Sequence, residues 1–175
     1  VATGINATSN GEGAAVSVSN SGDISADGIF GATGIAATAS GYGGSASVTN
    51  SGAIYASQNQ KYGYGAYGIV VSSDGDGSID NSGSIEVYSG GVANGATVLS
   101  FAGDASVTNS GDISAYSAAA LYYGATGITA FAANGSAYVG NSGSVSVTSA
   151  AILGAATRAV DAQGQQGVVV VNSGS

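Results

Sequence analysis

The stretch Val48-Thr49-Asn50-Ser51-Gly52-Ala53-Ile54 decides the fold, because close copies of it recur along the whole chain. In every copy an aliphatic residue stands two positions before the asparagine, and in the first five copies another stands two positions after the glycine. Successive copies begin 28 to 32 residues apart, a nearly constant period that indicates a repeat architecture. The six recurring asparagines are Asn20, Asn50, Asn81, Asn109, Asn141 and Asn172.

The residues around each copy alternate between apolar and polar with a period of two. Val48 before the turn, and Ile54 and Ala56 after it, have the spacing of side chains on one buried face of a strand. The intervening Ser-Gly predicts a turn in which glycine takes a positive φ. Each copy therefore predicts two short strands joined by a tight turn.

A third strand is predicted between copies, at residues 31–35 and 124–128 for example, where both segments read Gly-Ala-Thr-Gly-Ile. Residues 95–99 are a variant in which Leu99 takes the place of the isoleucine. Two residues after each of these isoleucines, and after Leu99, we expect another inward side chain. Phe101 is therefore predicted to be the bulkiest core residue of its column. The residues at this position are Ala7, Ala37, Val71, Phe101, Ala130 and Ala162.

Three short strands in every 30 residues predict an all-β fold, a parallel β-solenoid of about six coils. Equivalent strands then stack about 4.8 Å apart, and a right-handed coil is expected from the chirality of parallel crossovers. The 31 glycines argue against helices, because each costs about 1 kcal/mol in a helix interior. Residues 1–175 are expected to form a single solenoid segment of a longer repetitive chain.

The recurring asparagine predicts a structural ladder. In a column of stacked asparagines each side-chain amide donates to one rung and accepts from the next. We therefore assign the six asparagines to the scaffold and not to a binding site.

The charge balance limits the partners. Ten acidic residues stand against two basic ones, Lys61 and Arg158, so phosphate neutralisation cannot support nucleic-acid binding. The longest apolar runs, at 118–123 and 168–171, are far shorter than the roughly 20 residues that span a bilayer. We expect neither nucleic-acid binding nor membrane insertion of this segment.

Carboxylates suggest two kinds of site. Carboxylates stand at alternate positions, as in calcium loops, at Asp74, Asp76 and Asp80. The glycine and the glutamate of such a loop are absent from the required positions, which favours an acidic turn without a metal. Asp104 and Asp112 resemble the paired carboxylates of glycosidases, yet their columns also accept alanine and serine, and the chain has no histidine. The sequence predicts a non-enzymatic chain without a cofactor.

The tyrosines concentrate in the variable segments between the second and third strands. Loops on a regular scaffold often carry function, and tyrosine suits contact surfaces; alternatively, the rings only cover their own part of the coil. The predicted contact surface comprises Tyr62, Tyr64, Tyr67, Tyr116, Tyr122 and Tyr123.

The recurring Val-Thr-Asn-Ser-Gly-x-Ile, with Gly-Ile-x-Ala between copies, resembles the repeats in passenger regions of bacterial autotransporters and related large surface adhesins. The resemblance covers the whole chain. It implies a right-handed β-helix, secretion through the outer membrane and display at the cell surface. No catalytic residue carries over from it.

The expected function is that of a non-catalytic, extracellular scaffold for cell-surface attachment or for filament or biofilm assembly. The alternative is a β-helix that binds or degrades polysaccharides. Expected partners are neighbouring coils, further copies, and glycans or proteins of a host or cell surface. The chain begins and ends within the repeat, which predicts either further coils or copies stacked end to end.

Overall fold

The computed structural model of the protein describes residues 1–60, 63–119, 123–150 and 156–175. All regular elements in these residues are β-strands, and none is a helix. The strands in chain order are β1 Ala2–Ser9, β2 Ala15–Asn20, β3 Ile24–Gly28, β4 Ala32–Ala39, β5 Ser45–Asn50, β6 Ile54–Gln58, β7 Ala66–Ser73, β8 Gly77–Asn81, β9 Ile85–Ser89, β10 Ala93–Ser100, β11 Ala105–Asn109, β12 Ile113–Ser117, β13 Ala125–Ala132, β14 Ser136–Asn141, β15 Val145–Ser149, β16 Arg158–Gly164 and β17 Gly167–Asn172.

The strands form three parallel sheets, because each strand pairs with the strand three places further along the chain. Sheet A has the order β1-β4-β7-β10-β13-β16, sheet B runs from β2 to β17, and sheet C runs from β3 to β15. The chain is therefore a parallel β-solenoid with three strands per coil, as predicted. It makes about five turns: β1 to β15 form five full coils, and β16 and β17 add strands to sheets A and B.

The core is a set of aliphatic columns that run along the solenoid. In sheet B the column is Val18, Val48, Ile79, Val107, Val139 and Val170, and in sheet C it is Ile24, Ile54, Ile85, Ile113 and Val145. The central members are fully buried. Each large aliphatic side chain stabilises the fold by about 1.5–3 kcal/mol when buried. Both columns agree with the period-two prediction.

Glycines in sheet A make room for the sheet C column. A Cβ on Gly68 would overlap Cγ2 of Ile85 and would lie 2.5 Å from the carbonyl oxygen of Gly95. Gly34 and Gly95 are in equivalent surroundings. In the strands of sheet A, two consecutive residues are therefore buried, such as Gly34 and Ile35 in β4. After them, buried and partly exposed residues alternate again.

The glycine of Asn-Ser-Gly does not have the conformation predicted from sequence. Positive φ angles occur at Gly13, Gly43 and Gly65, and not at the described Ser-Gly turns. Close stacking is the reason for glycine instead, because a Cβ on Gly83 would overlap the carbonyl oxygen of Gly52 in the preceding coil.

The prediction that Phe101 is a core residue is wrong. Phe101 follows the last residue of β10 and is 52% exposed. The register explains the error: Ala96, not Leu99, pairs with Ile69, and Val98 pairs with Val71. Leu99 consequently lies on the outer face, opposite Ser72.

Candidate functional site

The six recurring asparagines form one continuous ladder along the solenoid. In the first five, the side-chain amide donates from Nδ2 to Oδ1 of the asparagine in the next coil, at 2.7 to 2.8 Å. The same Nδ2 also donates to the carbonyl oxygen of the glycine two residues later, which closes the turn. Asn50, Asn81 and Asn109 are fully buried.

The ladder occupies the corner between sheets B and C, which has the same length in every coil. Three residues join the two strands each time, at 21–23, 51–53, 82–84, 110–112 and 142–144. A buried amide needs partners for both its donor and its acceptor groups, so a turn of different length would break the column. The asparagines therefore act as scaffold residues.

The corner between sheets C and A, hereafter the C–A corner, varies instead. Its segments are residues 29–31, 59–65, 90–92, 118–124 and 150–157, from three to eight residues long. Two of the predicted contact residues, Tyr62 and Tyr122, belong to these segments in sequence and lie outside the described residues.

Among the described residues of the C–A corner, Tyr64 is the most exposed aromatic residue, with 81% of its surface accessible. Its backbone N–H donates to the carbonyl oxygen of Phe30 at 2.7 Å, which holds the two segments side by side. Ile29 and Phe30 are themselves 62% and 56% exposed. Tyr64, Ile29 and Phe30 thus form an exposed apolar cluster, hereafter the corner cluster.

The other predicted tyrosines are dispersed. Tyr123 lies in the C–A corner, roughly 10 Å from Tyr64 along the axis, because β7 and β13 are two coils apart. Tyr67 is half-buried on the outer face of sheet A. Tyr116 belongs to β12 in sheet C, where its ring stacks on that of Tyr88 with centroids 5.3 Å apart. The structure therefore does not bring the four described tyrosines of this set into one surface.

Sequence reasoning missed three residues of this region. Ile29 and Phe30 were overlooked although two consecutive large apolar residues directly before a glycine are a readable signal. Gln58 ends β6 fully buried, where its Nε2 donates to the carbonyl oxygens of Ile29 and Gln60 at 2.9 and 2.7 Å. Its Oε1 accepts from Ser89 Oγ at 3.1 Å. Gln58 therefore ties together the segments that carry the corner cluster.

A shallow pocket of about 260 Å³ opens beside the corner cluster. Its lining combines the apolar side chain of Ile29 with polar groups of Asp27, Asn59 and Gln60. The corner thus offers both apolar and hydrogen-bonding contacts to a partner.

Acidic residues of the stretch 74–80 form hydrogen bonds between neighbouring coils. Asp74 Oδ2 accepts the backbone N–H of Gly43 at 2.7 Å, and Asp76 Oδ1 accepts that of Asp104 at 2.9 Å. Asp80 is exposed on the outer face of sheet B. Within the described ranges no group of three or more histidine, cysteine or acidic residues is placed to hold a metal ion.

Comparisons with known proteins add no relative. No protein-family model, no curated protein and no solved structure matches the chain. In the part of the chain that the structure describes, there is no helix long and apolar enough to cross a membrane.

Proposed function

We propose that the chain is a non-catalytic scaffold and adhesive segment of a secreted or surface-displayed bacterial protein. The observation that carries the proposal is the contrast between two corners of the coil. The corner with the asparagine ladder is constant in length and buries its central asparagines, while the C–A corner varies in length and exposes the corner cluster. Such a division is typical of a rigid support that presents variable contact loops.

The composition of the corner cluster supports an adhesive role. Phenylalanine and tyrosine are enriched in protein interfaces relative to the rest of the surface. Here a backbone hydrogen bond joins Tyr64 to Phe30, and the buried amide of Gln58 binds the carbonyl oxygen of Ile29. Little backbone conformational entropy would then be lost when a partner binds, which favours affinity.

The bacterial surface location rests on the resemblance of the repeats to autotransporter passenger regions. In this proposal the partners are proteins or glycans of another surface, or further copies of the chain that assemble into filaments. The uniform coils set the distance between the cell and the contact surface.

The double variant Phe30→Ser/Tyr64→Ser tests the proposal. Beads coated with the chain are expected to attach to at least one member of a panel of immobilised glycans, extracellular matrix proteins and the chain itself. Loss of two aromatic contact residues should weaken attachment about ten-fold, because such residues are frequent binding hot spots.

Tyr42→Ser is the matched control. Tyr42 is 80% exposed, as Tyr64 is, but it lies between sheets A and B. Attachment should persist in this control, and circular dichroism should be the same for all three chains. Failure of the unaltered chain to attach to any panel member, or equal loss in control and double variant, would contradict the proposal.

A further inference from the structure

Two sets of carboxylates in the chain differ in their contacts. Three carboxylates between sheets A and B join neighbouring coils: Asp74 and Asp76 accept backbone N–H groups, as does Asp104 from Ser136 at 2.7 Å. These acceptor groups are occupied by the fold itself. Their charges therefore have a structural explanation.

The carboxylates on the side of sheet C lack such contacts. Glu86 and Asp112 are exposed, and no described residue forms a hydrogen bond or ion pair with either carboxylate. Asp23 accepts only a long bond, 3.4 Å from the backbone N–H of Ala53. The one basic residue within the described ranges, Arg158, lies on sheet A and pairs with Asp161 at 3.6 Å. The negative charge beside sheet C is thus not neutralised from within the described structure.

Tyrosines lie next to these carboxylates on the same side of sheet C. Tyr55 pairs in register with Glu86, and Tyr88 follows Glu86 by two residues and stacks on Tyr116 at an interplanar angle of 16°. Each of the three rings is 36% to 37% exposed. A groove of about 290 Å³ passes between Asp23, Tyr55 and Glu86.

We infer that this surface, the sheet C face (Asp23, Tyr55, Glu86, Tyr88, Asp112 and Tyr116), binds an extended basic segment of a partner protein. Lysine and arginine combine an aliphatic stem, which packs on tyrosine rings, with a cationic head, which reaches the carboxylates. The net charge of −8 attracts such a segment over a distance.

The spacing of the charges favours an extended segment over a single small cation. Asp23 and Asp112 lie three coils apart, about 14 Å along the axis, and Glu86 belongs to the second of the two coils between them, so the axial steps are about 10 Å and about 5 Å. In an extended peptide, side chains on one side recur about every 7 Å, so alternate basic residues can reach successive carboxylates. The sheet C face is separate from the corner cluster, and either assignment can fail alone.

The test is fluorescence anisotropy with a labelled eight-residue peptide of alternating lysine and threonine, at low and at physiological salt. The double variant Asp23→Asn/Glu86→Gln should weaken binding about ten-fold, and added salt should weaken binding to the unaltered chain. Tyr88→Ser/Tyr116→Ser should also weaken binding, although it leaves the net charge unchanged.

Glu12→Gln/Asp80→Asn is the matched control, because it also removes two negative charges, but from exposed positions outside the sheet C face. Its affinity should stay within about two-fold of the unaltered chain. Equal weakening in both charge variants would show attraction by net charge alone and overturn the inference. The inference would also be overturned if the unaltered chain did not bind the peptide, or if the tyrosine variant kept an unchanged affinity. Binding of chitosan oligosaccharides but not of the peptide would overturn it as well.

Discussion

Replacing Gly83 by alanine is expected to lower the free energy of unfolding by about 3 kcal/mol or more. The new Cβ would overlap the carbonyl oxygen of Gly52, so two coils must separate locally and strain the hydrogen bonds between them. Urea denaturation followed by circular dichroism measures the change.

Gly22→Ala is the control for this prediction. Gly22 occupies the same position of the motif in the first coil, but a Cβ there would meet no atom within 4 Å. Its effect should stay within about 0.5 kcal/mol. If both substitutions have the same effect, close stacking is not the reason for glycine in the Asn-Ser-Gly turn.

The second large effect is expected for Asn81→Ala, which should destabilise the fold by about 4 kcal/mol. The substitution removes the acceptor for Asn50 Nδ2 and the donor to both Asn109 Oδ1 and the carbonyl oxygen of Gly83. Each buried polar group left without a partner costs about 1–3 kcal/mol. The same denaturation measurement applies.

Asn172→Ala provides the comparison, because Asn172 is exposed and water can replace the lost contact with Asn141. A change below about 1 kcal/mol is expected there. Similar small changes in both variants would mean that the ladder adds little to stability.

The sequence was sufficient to predict the solenoid, because its strongest signal is also its most constrained part. The turn beside the asparagine ladder always has three residues, so the columns of Val48 and Ile54 stay in register and can be read from spacing alone. Period-two alternation then assigns the buried face.

The errors occurred where segment length varies. The segment before β10 is short and the segment before β7 is long, so spacing in the sequence does not give the register between these two strands. The strand pairing in the structure shows that Ala96, and not Leu99, pairs with Ile69. Phe101 was placed inside for this reason. The location of Tyr116 was also predicted wrongly, because β12 extends to Ser117 and places Tyr116 on sheet C instead of in the loop.

The roles of individual carboxylates could not be predicted either. Asp74 and Asp112 look alike in sequence, because each is an acidic residue directly next to a glycine. Only the contacts separate them: Asp74 accepts a backbone N–H from another coil, while Asp112 remains exposed. Such contacts depend on how neighbouring turns face each other across coils.

The most direct test of the stacked coil is the distance between two spin labels on one outer column. The chain has no cysteine, so Ser17→Cys/Val169→Cys and Ser47→Cys/Val169→Cys can be labelled cleanly. Ser17 and Val169 are five register steps apart on sheet B, and Ser47 and Val169 are four.

Double electron–electron resonance should give narrow distance distributions whose backbone separations are about 24 Å and about 19 Å, and the two should differ by about one coil, roughly 5 Å. The label tether adds the same length to both pairs, so this difference is the decisive quantity. Broad distributions, or equal distances for the two pairs, would contradict a solenoid with one coil per repeat.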